Sequence, residues 1–160
     1  MTLKNLNLSK FVSEKMKQLV LCIGNRYGGD DAVGPYIADN LKEIDFPVID
    51  SGIAPENFTD KIKNFNPENL IIIDAIDMGL NQGDFRIVRK EKIGVMHIST
   101  HGIPISVLIN YLEKFIDKIT LIGIQPGKMN GDISDVVKKS ADQLIDTIVK
   151  KNLNKVKTLD

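Results

Sequence analysis

The chain alternates short apolar runs with longer segments in which apolar positions recur every three or four residues. The short runs are typical of buried strands, whereas the spaced apolar positions predict amphipathic helices. The resulting order of elements is α, β, α, β, α, β, β, α, β, α. The predicted strands cover residues 19–23, 46–50, 70–73, 85–89 and 119–124.

This order predicts the fold class α/β, built as a three-layer α/β/α sandwich around a mostly parallel sheet of about five strands. The strand at 85–89 follows its predecessor after a short turn, so we expect it to be an antiparallel edge strand. Residues 1–18 are predicted to form an N-terminal helical extension, residues 19–152 a single α/β domain, and residues 153–160 a lysine-rich tail that frays. The segment 91–103 is expected to be an irregular loop.

One stretch joins a predicted strand to a predicted helix through a glycine-rich loop, and its sequence is LVLCIGNRYGGDDAVGPYIADNL, residues 19–41. The loop ends on two adjacent carboxylates, Asp30 and Asp31, and the helical apolar pattern begins at Val33. Open α/β sheets bind their ligands at the carboxyl ends of the strands, which is where this loop lies. The stretch therefore predicts a functional site.

Composition narrows the classes of partner. Lys plus Arg balances Asp plus Glu at 21 each, so no charged field attracts nucleic acid or an anionic membrane. The single cysteine, Cys22, lies inside an apolar run, which excludes a disulfide framework and is typical of the reducing cytosol. No apolar stretch has transmembrane length, and residues 1–18 carry no secretion signal. We therefore expect a cytoplasmic protein that binds neither nucleic acid nor membrane.

Three polar positions are candidates for chemistry because each follows a predicted strand or precedes a predicted helix. These are Asp30 or Asp31 after the first strand, Asp74 after the run 70–73, and His101 before the helix that begins near Pro104. Two carboxylates and an imidazole suit a borderline divalent metal ion, and the same groups can perform general acid–base catalysis. The loop lacks the glycine spacings of nucleotide-binding motifs, and two aspartates there would repel phosphates.

Each candidate also has a structural interpretation. Asp31 could simply cap the following helix, a common role for aspartate at that position. His97 and His101 are spaced i, i+4 and would form a two-histidine metal face on a helix, but Ile98, Ser99, Thr100 and Gly102 argue against a helix there. His97 is therefore the second choice of the two histidines, and the choice between Asp30 and Asp31 stays open at this point.

Five segments in the same order and spacing resemble the [NiFe]-hydrogenase maturation endopeptidases, and most closely the branch that processes the large subunit of hydrogenase 3. The segments are GNRYGGDDAVG, DSGIAPENF, IIIDAIDMGLNQGDFRIV, STHGIP and LIGIQP. The resemblance runs from about Leu19 to Pro126. The chain departs from the family pattern at Ala32, where the family usually has glycine, and in the extra residues 1–18.

The resemblance implies a three-layer α/β sandwich and removal of a C-terminal peptide from a hydrogenase large-subunit precursor once nickel has been inserted. It implies that Asp31, Asp74 and His101 contact the metal, which makes Asp30 the second choice of the two adjacent aspartates. It also implies an aspartyl-type endopeptidase in which Asp31 or Asp74 acts as catalytic base, unless the nickel polarises the scissile carbonyl. We expect a monomer that borrows nickel from its substrate, with zinc or cadmium able to substitute for it in crystals.

Two other classes of function remain open from the sequence. A non-enzymatic nickel carrier or hydrogenase assembly factor could use the same three ligands to hold the ion. A small-molecule α/β hydrolase is disfavoured because the chain has no G-x-S-x-G nucleophile motif. Turnover separates the first two classes, since only a protease shortens a nickel-loaded precursor.

Overall fold

The computed structural model describes residues 16–42, 44–94 and 102–160, together with the backbone of His97 and Ile98. The predicted N-terminal extension thus lies mostly outside the described residues, and its last position, Gln18, belongs to the first strand. The strands are β1 (Gln18–Cys22), β2 (Val48–Asp50), β3 (Asn69–Asp77), β4 (Phe85–Val88), β5 (His97–Ile98) and β6 (Lys118–Ile124).

The main sheet has the strand order β2-β1-β3-β6-β4, and the two-residue β5 pairs with the end of β3. β1 pairs in parallel with β2 and β3, and β3 pairs in parallel with β6. β4 runs antiparallel to β6 at the edge, because only a short turn separates β4 from the end of β3. The predicted sheet, mostly parallel with one antiparallel edge strand, is confirmed.

The helices are α1 (Val33–Asn40), α2 (Thr59–Phe65), α3 (Lys90–Ile93), α4 (Ile105–Leu112) and α5 (Asp135–Val149). They cover both faces of the sheet. Successive side chains of the central strand β3 point to opposite faces and so contact the two helical layers in turn. Leu70, Ile72 and Ile76 pack with apolar residues of α2 and α4, whereas Ile71 and Ile73 pack with those of α1 and α5. The central strand is therefore buried on both sides, which explains its unbroken apolar run.

Asp74 lies inside β3 and not after it, which corrects the strand boundary predicted at Ile73. β3 continues to Asp77 because Asp74 and Ala75 still pair with Gly123 and Ile124 of β6, and the last two residues pair with β5. The neighbouring β1 ends at Cys22, opposite Ile73. Asp74 thus stands one residue beyond the end of β1, at the carboxyl edge of the sheet on that side.

Two further expectations differ from the structure. The segment 91–103 contains most of α3 and the short strand β5, so it is not wholly irregular. The C-terminal tail does not fray, because Ile87 donates a backbone hydrogen bond to Lys157 and accepts one from Leu159, both at 2.8 Å. Val156 is only 8% exposed and packs in the core, so burial of this side chain holds the tail against β4. Within the described ranges, no helix combines the length and apolar content needed to cross a membrane.

Candidate active site

The glycine loop after β1 folds back on itself so tightly that side chains are excluded at two positions. A Cβ atom at Gly24 would lie 2.0 Å from the carbonyl oxygen of Asp31. Gly29 has a φ of +63°, and a Cβ atom there would lie 2.6 Å from the backbone of Asn130. These close approaches place the 3-10 turn Gly29–Ala32, which carries both aspartates, against the end of β1 and the loop that follows β6.

Asp31 is buried in this turn, with 2% of its surface exposed. Its Oδ2 atom accepts a hydrogen bond of 3.0 Å from the backbone N–H of Asn25. Asp31 does not cap the next helix, because Ala32 occupies the N-cap position of α1 and no side chain bonds there. The capping interpretation of Asp31 is therefore wrong, and its carboxylate is held by the glycine loop instead.

Asp74 is 1% exposed and shares its face of β3 with Ile72 and Ile76. Among the described residues, no group hydrogen-bonds to its Oδ1 atom. Burial raises the pKa of Asp74 well above its ordinary value, and the nearby negative charge of Asp31 raises it further. A hydrogen bond from the backbone N–H of Ala75 only partly opposes these effects. The structure thus brings Asp31 and Asp74 close enough for their charges to interact.

Two carboxyl groups with such different surroundings suit acid–base chemistry. A raised pKa keeps Asp74 protonated over a pH range in which an ordinary carboxyl group is ionised. A protonated acid beside a carboxylate can donate a proton while its neighbour accepts one. The unpartnered Oδ1 atom of Asp74 is also a free oxygen ligand of the kind that divalent ions accept. Across the described residues, however, no group of three His, Cys, Asp or Glu side chains could hold a metal ion.

The raised pKa of Asp74 predicts how stability changes with pH in the metal-free protein. Above the unfolded pKa of about 3.9, the native state retains a proton that the unfolded state has lost, so stability falls as pH rises toward the raised value. Asp74→Asn removes this loss. Its free energy of unfolding relative to the wild type should therefore rise with pH from about pH 4 until the raised pKa of Asp74 is reached. Denaturant unfolding of both proteins from pH 4 to 8 measures the difference, and parallel curves would contradict the prediction.

Asp30 is fully buried, and its carboxylate is bonded to the loop 127–134. Burial raises its pKa, but hydrogen bonds from Ser134, Gly127 and Gln82 outweigh that effect, and the pKa of Asp30 lies below its ordinary value. Its Oδ1 accepts the N–H of Ser134 at 2.8 Å, and its Oδ2 accepts the N–H of Gly127 at 2.7 Å, the N–H of Lys128 at 3.1 Å and the Nε2–H of Gln82 at 3.0 Å. The two adjacent aspartates therefore have different hydrogen-bond partners: Asp31 bonds to the glycine loop, whereas Asp30 bonds to the loop 127–134 and Gln82.

The histidines can be placed only in part. His101 lies outside the described residues, so its place in the site stays a prediction. The backbone of His97 is extended in β5 and pairs with Asp77, which agrees with the expectation that this segment is not helical. Gly102 has a φ of +62°, and a Cβ atom there would lie 2.9 Å from Oε1 of Glu56. The residue that follows His101 thus lies beside the 3-10 turn Pro55–Phe58, close to the carboxyl end of β2.

Cys22 cannot add a thiolate to this site. Its side chain is fully buried within β1 and packs with the core on the α1 and α5 face. Burial raises the pKa of the Cys22 thiol strongly, and the charge of Asp50 adds to the effect. A neutral, inaccessible thiol is neither a nucleophile nor a metal ligand.

Several residues around the aspartates carried no sequence signal as site residues. Gln82, Gly127 and Ser134 contact Asp30 from positions that are 52 to 104 residues away in the chain. Arg26 forms ion pairs with Asp39 of α1 at 2.7 Å and with Asp50 at the end of β2, which ties the glycine loop to both elements. The order G-N-R in the loop does not indicate these partners, because they are set by the packing of distant segments.

Comparison with known proteins identifies the family. The sequence model of the HycI family, described as hydrogenase maturation protease, matches residues 35–151, which include Asp74 but begin after Asp31. The hydrogenase 3 maturation protease of Escherichia coli K12 is 40% identical in an alignment 115 residues long, which covers 69% of this chain and 74% of that protein.

Solved structures agree in sequence and fold. The solution structure of the endopeptidase HycI from Escherichia coli matches with a TM-score of 0.83 and 32% identity, covering 91% of this chain and 97% of that one. The crystal structure of the [NiFe] hydrogenase maturation protease HycI from Thermococcus kodakarensis matches with a TM-score of 0.77 and 32% identity, covering 91% and 98%. The chain therefore belongs to the hydrogenase maturation protease family, and it is a peptidase.

Proposed function

We propose that this peptidase removes the C-terminal peptide of a [NiFe]-hydrogenase large-subunit precursor after nickel has been inserted, and that it recognises the precursor through the bound nickel. The observation that carries the proposal is the pair of buried carboxyl groups at the carboxyl edge of the sheet. Asp74 has an oxygen atom with no hydrogen-bond partner among the described residues, and the charge of Asp31 acts on it. The chain belongs to a family of peptidases, and hydrolysis of a peptide bond is a reaction that such a pair of carboxyl groups can catalyse.

Peptide hydrolysis needs a base for the attacking water and a proton for the leaving amine. Asp31 acts as the base. It takes a proton from the water while the water oxygen bonds to the scissile carbonyl carbon. Asp74, which its raised pKa keeps protonated, gives a proton to the amine nitrogen as the peptide bond breaks. Transfer of the proton from Asp31 back to Asp74 restores the starting state. Nickel carried by the precursor polarises the carbonyl, which lowers the barrier to attack.

Nickel is best regarded as part of the substrate. Asp31, Asp74 and His101 would supply at most three ligands, and none is the soft thiolate that binds such ions tightly. The isolated protein should therefore bind nickel weakly, and the precursor would complete the coordination. A protease that holds no ion of its own can distinguish a loaded precursor from an empty one. We place this reaction in the cytoplasm and expect the protease to act as a monomer.

The decisive experiment mixes the metal-free protein with nickel-loaded and nickel-free precursor in parallel and measures the products by mass spectrometry. We expect the loaded precursor to lose its C-terminal peptide and the empty precursor to remain intact. Equal cleavage of both would contradict recognition through nickel. Transfer of nickel without shortening of either precursor would instead identify a nickel carrier.

A further inference from the structure

Asp30 joins the turn that carries Asp31 to a distant loop. Its carboxylate accepts three backbone N–H groups of the loop 127–134 and the side-chain amide of Gln82. The same turn is bonded to that loop through the backbone, since Gly29 N–H donates to Gly131 at 3.0 Å and Asp30 N–H donates to Lys128 at 2.8 Å. Each bond to the buried carboxylate is charge-assisted, and such bonds are stronger than neutral ones.

Gln82 lies in the turn between β3 and β4, and it extends this connection to that turn and to the start of α5. Its Nε2 atom donates to Oδ2 of Asp30 at 3.0 Å and to Oγ of Ser134 at 2.9 Å. Ser134 is the N-cap of α5, and its Oγ atom also accepts the N–H of Val137. A Cβ atom at Gly127 would lie 2.3 Å from Nε2 of Gln82, so the amide fills the space beside that glycine. The turn of Asp30 is thus fixed from three segments.

Asp31 occupies the next position of the same 3-10 turn, and hydrogen bonds restrain both its backbone and its side chain. Its N–H donates to Gly28 at 3.2 Å, and its Oδ2 atom accepts the N–H of Asn25 at 3.0 Å. A one-residue separation means that any rotation of the turn at Asp30 also moves the Asp31 carboxylate. Catalytic geometry tolerates displacements of only about 0.5 Å, so the rigidity of this turn bears directly on reactivity.

We propose that Asp30 is a positioning residue, which together with Gln82 holds the Asp31 carboxylate beside Asp74 for the peptidase reaction. The catalytic part of this inference rests on the proposed function, whereas its geometric part does not. Asp30 touches no reacting atom in this assignment. Its role is to bond the turn to the loop 127–134, so that the turn holds Asp31 in one position.

Two substitutions perturb the connection to different extents. In Asp30→Asn the amide keeps the shape, but each carboxylate oxygen of Asp30 accepts at least one N–H group, so the new NH2 group must face a donor in either orientation. Gln82→Met keeps the length of a largely exposed side chain and removes only its amide group, which donates to Asp30 and to Ser134. It should therefore fold even if Asp30→Asn does not. Gln143→Met, at an exposed position of α5, is the matched control for replacing glutamine by methionine.

Amide hydrogen exchange of Asn25 reads the position of Asp31 without any catalysis, because that N–H is bonded to Oδ2 of Asp31. We expect exchange at Asn25 to accelerate about tenfold in Gln82→Met, and further in Asp30→Asn, with no change in Gln143→Met. With loaded precursor, kcat should fall by a similar factor while KM stays constant. Because a loss of folded enzyme would give the same split, each rate is divided by the folded fraction that circular dichroism measures for that variant.

The two readouts separate failure of the inference from failure of the proposed function. Unchanged Asn25 exchange in folded Gln82→Met overturns the positioning role, whatever the activity of the wild type. An unchanged kcat in a variant with faster Asn25 exchange overturns the claim that the position of Asp31 controls the rate of cleavage. If the wild type cleaves no precursor, the proposed function fails, and Asn25 exchange still decides whether Asp30 and Gln82 position Asp31.

Discussion

Replacing Asp74 by asparagine should lower kcat for cleavage of the nickel-loaded precursor by about 10²- to 10⁴-fold, the usual contribution of a positioned acid or base. Asparagine has nearly the same shape, so the packing of β3 against β1 and β6 should persist. The amide cannot release a proton to the leaving amine, which is the role proposed for Asp74. Single-turnover cleavage followed by mass spectrometry gives the rate, and circular dichroism reports the fold.

Asp117→Asn is the matched control for this substitution. Asp117 is exposed and precedes β6, so it lies at the amino edge of the sheet, opposite the candidate site. The Asp117→Asn variant should cleave the loaded precursor at the rate of the wild type. If well-folded Asp74→Asn keeps its rate within about tenfold of the wild type, Asp74 has no direct part in the chemistry.

The layers and the order of the sheet could be predicted because each strand carries its own apolar signal. The boundary at Asp74 could not, since a charged residue usually ends an apolar run and the pattern does not report the partner strand. β6 extends β3 through backbone pairs with Gly123 and Ile124, which a side-chain pattern cannot indicate. The lysine-rich tail was mispredicted for a similar reason. Its backbone pairs with Ile87, and a single apolar residue, Val156, reaches the core.

The acidic pair shows a different limit of sequence reasoning. Two adjacent aspartates after a strand predict a site, but their sequence is the same whichever of them faces it. The structure separates them through residues far along the chain: Gln82, Gly127 and Ser134 bond to Asp30 and leave Asp31 beside Asp74. The motif therefore indicates where a site lies, whereas the division of roles depends on which loop packs against which carboxylate.

His101→Ala should lower kcat for precursor cleavage by at least about 100-fold, whereas His97→Ala should lower it by less than about tenfold. His101 directly precedes Gly102, whose backbone lies beside the carboxyl end of β2, on the edge of the sheet that carries Asp31 and Asp74. His97 contributes to β5 through its backbone, which pairs with Asp77, and alanine keeps those backbone bonds. Parallel kinetics of both variants, with melting temperatures as a check on folding, establish the ranking. A larger loss in His97→Ala than in His101→Ala would assign the imidazole of the site to His97, and it would require the loop before α4 to present a different side chain to the two carboxyl groups.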